Sequence, residues 1–77
     1  SLLKLGQIYE AQSRLAEAEP LYRRALEIRE ARLGAAHPRV AGTLHLLAHL
    51  LQAAARPDEA LPLFERALEI RKSERGR

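Results

Sequence analysis

The sequence predicts an all-α fold, an α-α superhelix (solenoid) of two antiparallel helical hairpins with four helices. Composition is the first observation behind this prediction: Ala, Glu, Lys, Leu and Arg supply 51 of the 77 residues, and these are strong helix formers. The second is an internal duplication with a period of 42 residues. Together they predict one domain over residues 1–77, with a first repeat over 1–35, truncated at its N-terminus, and a second repeat over 36–77.

The duplication is clearest between residues 18–29 and 60–71. Nine of the twelve aligned positions are identical, and a tenth pairs Tyr22 with Phe64. The same offset relates residues outside these segments, which indicates that the whole chain consists of two copies of one unit. Such pairs are Leu2 with Leu44, Leu5 with Leu47, Gly6 with Ala48 and Arg14 with Arg56.

Two amphipathic helices are predicted in the first copy, because apolar residues recur there at spacings of three and four. Gly34 is predicted to end the second of them, since glycine adopts the left-handed backbone of a helix end without steric cost. The inward face of the first helix is assigned to Leu2, Leu5, Gly6 and Tyr9. That of the second helix is assigned to Ala18, Tyr22, Ala25, Leu26 and Ile28.

The second copy repeats this pattern. Pro38 suits the first position of the third helix, where a missing N–H costs no hydrogen bond. The fourth helix is predicted to begin at Pro57, because Asp58 and Glu59 then lie in its first turn and complement the positive end of its dipole. The inward residues of the third helix are Leu44, Leu47, Ala48 and Leu51, and those of the fourth are Ala60, Phe64, Ala67, Leu68 and Ile70.

Composition and charge pattern exclude several classes of function. The net charge is +3, but the arginines alternate with glutamates along the second helix, and three aromatic residues provide no stacking platform, so no nucleic-acid partner is expected. No apolar run approaches the roughly 20 residues of a membrane span, and none is expected. The absence of cysteine excludes disulfides and thiolate zinc sites.

We expect neither enzymatic activity nor a cofactor. The serines and threonine have no base and orienting acid at a recognisable spacing, and the four glycines form no phosphate-binding loop. His45 and His49 have the i, i+4 spacing that can hold a metal, but no third ligand lies close in sequence. A solvated helix face is therefore favoured over a metal site, with contact to a bound peptide as the further alternative.

The arrangement of small and large residues resembles the tetratricopeptide repeat, and the 42-residue spacing resembles its kinesin light chain variety. The resemblance covers nearly the whole chain. It departs where kinesin light chain repeats often carry asparagines early in the first helix, which are here Leu3-Lys4 and His45-Leu46. The signature residues are Leu5, Gly6, Tyr9, Ala18, Tyr22 and Ala25, and residues 17–30 and 33–41 carry the likeness to kinesin light chains.

The resemblance implies a cytoplasmic scaffold that binds a peptide or partner protein. In such stacks the first helix of each repeat lines a concave surface and the second helix forms the convex side. The candidate binding residues lie beside the inward face of each first helix: His45, His49 and Gln52 in the second repeat, and Leu3, Gln7 and Glu10 in the first. These side chains would suit a polar or mildly basic peptide.

A second hypothesis is self-assembly. An exposed terminal helix face around Leu63, Leu68 and Ile70 is predicted to pair with a second copy of the chain, which would make a homo-oligomer. The two hypotheses differ in whether the mass in solution depends on concentration.

Overall fold

The computed structural model describes residues 1–75, with side chains through Ser73, so residues 76–77 of the predicted second repeat lie outside the described residues. Four α-helices follow one another: α1 (Leu2–Ala11), α2 (Leu15–Leu33), α3 (Pro38–Ala53) and α4 (Pro57–Arg75). Each helix packs on the next, and the short connections make neighbours antiparallel. The predicted all-α class and the helix starts at Pro38 and Pro57 are confirmed. The predicted repeat boundary after residue 35 falls in the α2–α3 loop and stays a prediction.

Three backbone positions with positive φ turn the chain between helices. Gly34 has φ 94° and ψ 151°, a region that is essentially restricted to glycine. It ends α2 as predicted, although its backbone is extended and not left-handed helical. Ser13 and Ala55 occupy equivalent places after α1 and α3, both with φ 62°, which is uncommon for residues with a side chain. The two hairpins therefore turn in the same way.

The core is centred on α3, which packs against both α2 and α4. Its predicted inward residues are confirmed, since Leu44, Leu47 and Leu51 are 0% exposed. Thr43 is also buried, and its hydroxyl donates to the Arg39 carbonyl at 3.0 Å and accepts from Arg29 of α2 at 3.1 Å. The remaining core members from the neighbouring helices are Ala18, Tyr22 and Leu26 of α2 and Ala60, Ala67 and Ile70 of α4.

Two predicted inward residues are instead exposed. Leu5 is 41% exposed on α1, which packs mainly on α2, and Leu68 is 52% exposed on α4, which packs mainly on α3. Their equivalents in the other repeat, Leu47 and Leu26, are buried. The spacing of apolar residues therefore identified the correct helix faces. How many helices pack around each face determines which of these residues are buried.

Helices α1 and α2 approach closely at Gly6. A Cβ atom at this position would lie 2.7 Å from Cε1 and 2.9 Å from Cδ1 of Tyr22, closer than carbon atoms pack. The Tyr22 ring is fully buried. The equivalent pair in the second repeat is Ala48 with Phe64, so each hairpin places a small residue opposite an aromatic one.

Two ion pairs join α2 to the second repeat. The guanidinium of Arg66 lies 2.5 Å from the Glu30 carboxylate, and Arg56 pairs with Glu19. Burial disfavours the charged form of Glu19, but hydrogen bonds from Arg56 and Arg23 outweigh this cost and lower the pKa of its carboxyl group. These pairs cross between the repeats and connect α2 to the second hairpin.

We expect Gly6→Ala to destabilise the chain by about 1–2 kcal/mol, because the overlap with the Tyr22 ring outweighs the gain in helix propensity. Gly42→Ala is the matched control: no atom lies within 4 Å of its Cβ, so the same substitution should stabilise by several tenths of a kcal/mol. Urea unfolding of both variants measures the difference. Equal effects would contradict the close packing at Gly6.

The lowered pKa of Glu19 predicts an acid dependence of stability. The charged carboxylate stabilises the fold above the ordinary value of 4.5, and this contribution is lost as pH falls through the lower folded pKa. Arg56→Gln should therefore reduce the loss of unfolding free energy on acidification, which urea unfolding at a series of pH values measures.

Arg14→Gln is the control for this experiment. Arg14 makes the equivalent pair with Glu17 inside its own repeat and does not contact Glu19. Its removal should leave the Glu19 contribution to the acid profile unchanged. Identical acid profiles for the Arg56 and Arg14 variants would rule out the stabilising pair between repeats.

Candidate functional site

The first helices of the two repeats share one surface. Oε2 of Glu10 on α1 lies 3.3 Å from Nδ1 of His49 on α3, so the outward sides of these helices adjoin. Gln7, His45, His49 and Gln52 are exposed, and the Glu10 side chain retains 22% of its exposure. We call this set, Gln7, Glu10, His45, His49 and Gln52, the α1–α3 surface.

Leu3 is placed differently from the other predicted binding residues. It is half-buried and packs against the core, where it lines a cleft with Ala25 and Ile28 of α2. Its apolar side chain therefore faces α2, and its predicted part in binding stays a prediction. The other five predicted residues lie on the α1–α3 surface.

Glu10 is held in place from two helices. The hydroxyl of Tyr22 donates to Oε1 of Glu10 at 2.7 Å, while Oε2 faces His49. Burial, together with the bond to this carboxylate and its negative charge, raises the pKa of the Tyr22 hydroxyl. Sequence reasoning assigned Tyr22 to packing alone. The available signal was the pairing of Tyr22 with Phe64, since the residue equivalent to Glu10 in the Phe64 repeat is the neutral Gln52.

The two histidines of α3 have different neighbours. The His45 ring meets Phe64 of α4 edge to face, with centroids 5.3 Å apart and planes at 68°, while His49 faces Glu10 of α1. Among the residues that the structure describes, no group of three or more histidine, aspartate or glutamate side chains is placed to hold a metal ion. The pair therefore contributes aromatic and hydrogen-bonding surface.

The predicted self-assembly face is largely covered. Ile70 is only 6% exposed and belongs to the core, against which Leu63 also packs. Only Leu68 of the three predicted residues is exposed, because the side of α4 that carries Ile70 faces α3. The prediction of an apolar patch around all three residues is wrong.

A family model described as tetratricopeptide repeat matches the sequence over residues 1–73. The chain belongs to the tetratricopeptide repeat family. Membership indicates a protein–protein interaction module, and tetratricopeptide repeat domains are typically scaffolds without enzymatic activity. No curated protein matches the sequence.

The helices of this tetratricopeptide repeat chain were compared with the length and apolar character that a membrane span requires. None of the helices in its described part combines sufficient length with sufficient apolar character to cross a bilayer.

The Tyr22–Glu10 bond predicts an alkaline dependence of stability. Because the folded pKa of Tyr22 is raised, its contribution is complete below the ordinary tyrosine value of 10.0 and is lost as pH rises above it. Tyr22→Phe should cost about 1–2 kcal/mol at neutral pH and reduce the alkaline loss of unfolding free energy. Tyr9→Phe is the control, since it keeps the bond to Glu10 and should keep that loss. A Tyr22→Phe variant as sensitive to alkali as the parent would contradict this bond.

Proposed function

We propose that this chain is an interaction module that binds a peptide or a segment of a partner protein on the α1–α3 surface, as the concave side of the stack. The observation that carries the proposal is the contact between Glu10 and His49. It joins polar side chains of both repeats into one accessible strip, whereas the neighbouring apolar residues of α3 are buried. Such a strip lets one bound segment contact both repeats.

The chemistry of the strip favours a polar or mildly basic peptide. Gln7 and Gln52 carry amides that both donate and accept hydrogen bonds, which suits the backbone of an extended segment. Glu10 supplies negative charge between them, and its orientation is restricted by Tyr22. A side chain held in one orientation loses little entropy on binding.

Within the family we propose a kinesin light chain type of repeat and, with it, a cytoplasmic location. The 42-residue period and the likeness of residues 17–30 support this assignment. Because Leu3 and His45 stand near the positions where such repeats often carry asparagine, we propose that Gln7 and Gln52 take over the contact with the peptide backbone.

The test uses a peptide selected from a random-peptide display library against the parent chain. A His49→Ala and Gln52→Ala double variant should bind this peptide about tenfold more weakly, which corresponds to about 1.4 kcal/mol. Glu27→Ala, at an exposed position of α2, is the control and should bind like the parent. Circular dichroism checks that helix content is unchanged.

Two outcomes would count against the proposal. One is a selected peptide whose affinity falls with Glu27→Ala but not with the double variant, which would place binding on the outer helices. The other is that selection yields no peptide whose binding depends on the α1–α3 surface.

A further inference from the structure

A small cavity opens where α2 ends and α3 begins. It has a volume of about 250 Å³, and its apolar lining comes from Ile28 and Leu33 of α2. The other three lining residues are all basic, namely Arg29, Arg32 and Arg39. We call the hollow lined by these five residues the junction cavity.

The three arginines of the junction cavity have no acidic partner in the described part of the chain. Among the side chains that the structure describes, no carboxylate forms an ion pair with any of them. At the turn of the first hairpin, by contrast, Arg14 pairs with Glu17. Glu30, the acidic residue in the same turn of α2, is already engaged by Arg66. The positive charges at the cavity are therefore not neutralised by these residues.

Arg29 is held in position by α3. Its Nη1 donates to the hydroxyl of Thr43 at 3.1 Å and to the carbonyl of Arg39 at 3.5 Å. Thr43 is fully buried, so the core fixes the position of this anchor. These two bonds use only Nη1, which leaves Nη2 and Nε of Arg29 as further donors. A guanidinium that is oriented before binding loses less entropy when it contacts a ligand.

The basic character of the junction cavity does not come from the duplicated unit. Ile28 recurs in the second repeat as Ile70, at a position that packs in the core. Arg32 does not recur, because the equivalent residue is Glu74. Since the second hairpin forms with an acidic residue at that position, the positive charge of Arg32 is not required to build a hairpin.

The size and charge of the junction cavity limit what it can bind. Sites for whole small molecules usually enclose roughly 300–1,000 Å³, so this cavity fits one or two side chains better. One arginine can satisfy one carboxylate through two parallel bonds. A phosphorylated side chain carries a charge of about −1.5 to −2 and three strong acceptor oxygens. Three arginines therefore match a phosphorylated residue better than an aspartate or a glutamate.

The apolar part of the lining favours a peptide over other phosphate-bearing molecules. None of the five lining residues is aromatic, so the cavity offers no surface on which a nucleic-acid base could stack. Ile28 and Leu33 lie beside the arginines and can instead cover an apolar side chain.

We propose that the junction cavity binds a phosphorylated serine or threonine of a partner protein that carries an apolar residue next to it. The phosphate contacts Arg29, Arg32 and Arg39. The apolar neighbour packs against Ile28 and Leu33. The proposal goes beyond the peptide-binding function above, because it uses no residue of the α1–α3 surface and requires a modified partner.

The test uses three mixtures of synthetic peptides that are passed over the immobilised chain. The central residue is phosphoserine, serine or glutamate, and the flanking positions are randomised. Only the phosphoserine mixture should be retained, and sequencing should show an apolar residue next to the phosphoserine in the retained peptides. A phosphoserine mixture retained no better than the serine or the glutamate mixture would overturn the proposal.

Substitution of single arginines shows whether the binding is local. Fluorescence anisotropy with a retained phosphopeptide should show about tenfold weaker binding to Arg32→Gln and to Arg39→Gln, because each loses charge-assisted hydrogen bonds to the phosphate. Arg24→Gln is the matched control, since it removes the same charge from an exposed position of α2 that does not line the cavity. It should weaken binding less than about twofold. Circular dichroism checks that all variants are equally helical.

Two results with these variants would overturn the proposal. Equal losses of affinity for Arg24→Gln and Arg32→Gln would show that net charge, and not the cavity, holds the phosphopeptide. The other result concerns phosphatidylserine vesicles and a single-stranded oligonucleotide. If either binds more tightly than the phosphopeptide and loses affinity with Arg32→Gln, the arginines serve a membrane surface or a nucleic acid instead.

Discussion

The structure depends on the burial of α3 from two sides. This helix packs against α2 across the repeat boundary and against α4 of its own hairpin, so most of its surface is buried. Between the two ends of α3, the exposed residues form a narrow polar stripe that runs from His45 through His49 to Gln52. The candidate binding surface is thus the part of α3 that packing does not use, and the hydrogen bond from His49 continues it onto α1.

The two repeats also act as an internal comparison, because equivalent residues have nearly the same sequence context but different neighbours. Leu47 is buried where Leu5 is exposed, and Leu26 is buried where Leu68 is exposed. The difference in each pair comes from one additional helix. In an array of this kind, stability is therefore shared between the intrinsic hairpins and the interface that joins them, and the ion pairs of Glu19 and Glu30 belong to that interface.

Much of the fold could be predicted from the sequence because its determinants are local. The period of 42 residues, the prolines at the starts of α3 and α4, and the spacing of Leu44, Leu47 and Leu51 all act within one helix or hairpin. The outward position of His49 follows from the same spacing. These features require no knowledge of how one hairpin is rotated against the other.

The polar contacts that shape the surface could not be predicted in this way. Glu10 meets His49 across 39 positions of sequence, and Arg56 meets Glu19 across 37. Whether such side chains meet depends on the rotation between hairpins, which hydrophobic spacing leaves open. The positive φ of Ala55 was missed for a different reason, since alanine carries no signal for a left-handed turn.

Residue-resolved amide hydrogen exchange tests the central claim most directly. If α3 is enclosed by α2 and α4, amides around Leu44, Leu47 and Leu51 should exchange only when the whole chain unfolds and should be the slowest in the protein, while those of α1 exchange faster. Exchange from α3 as fast as from α1 would contradict the enclosed helix, and with it the surface that α3 presents.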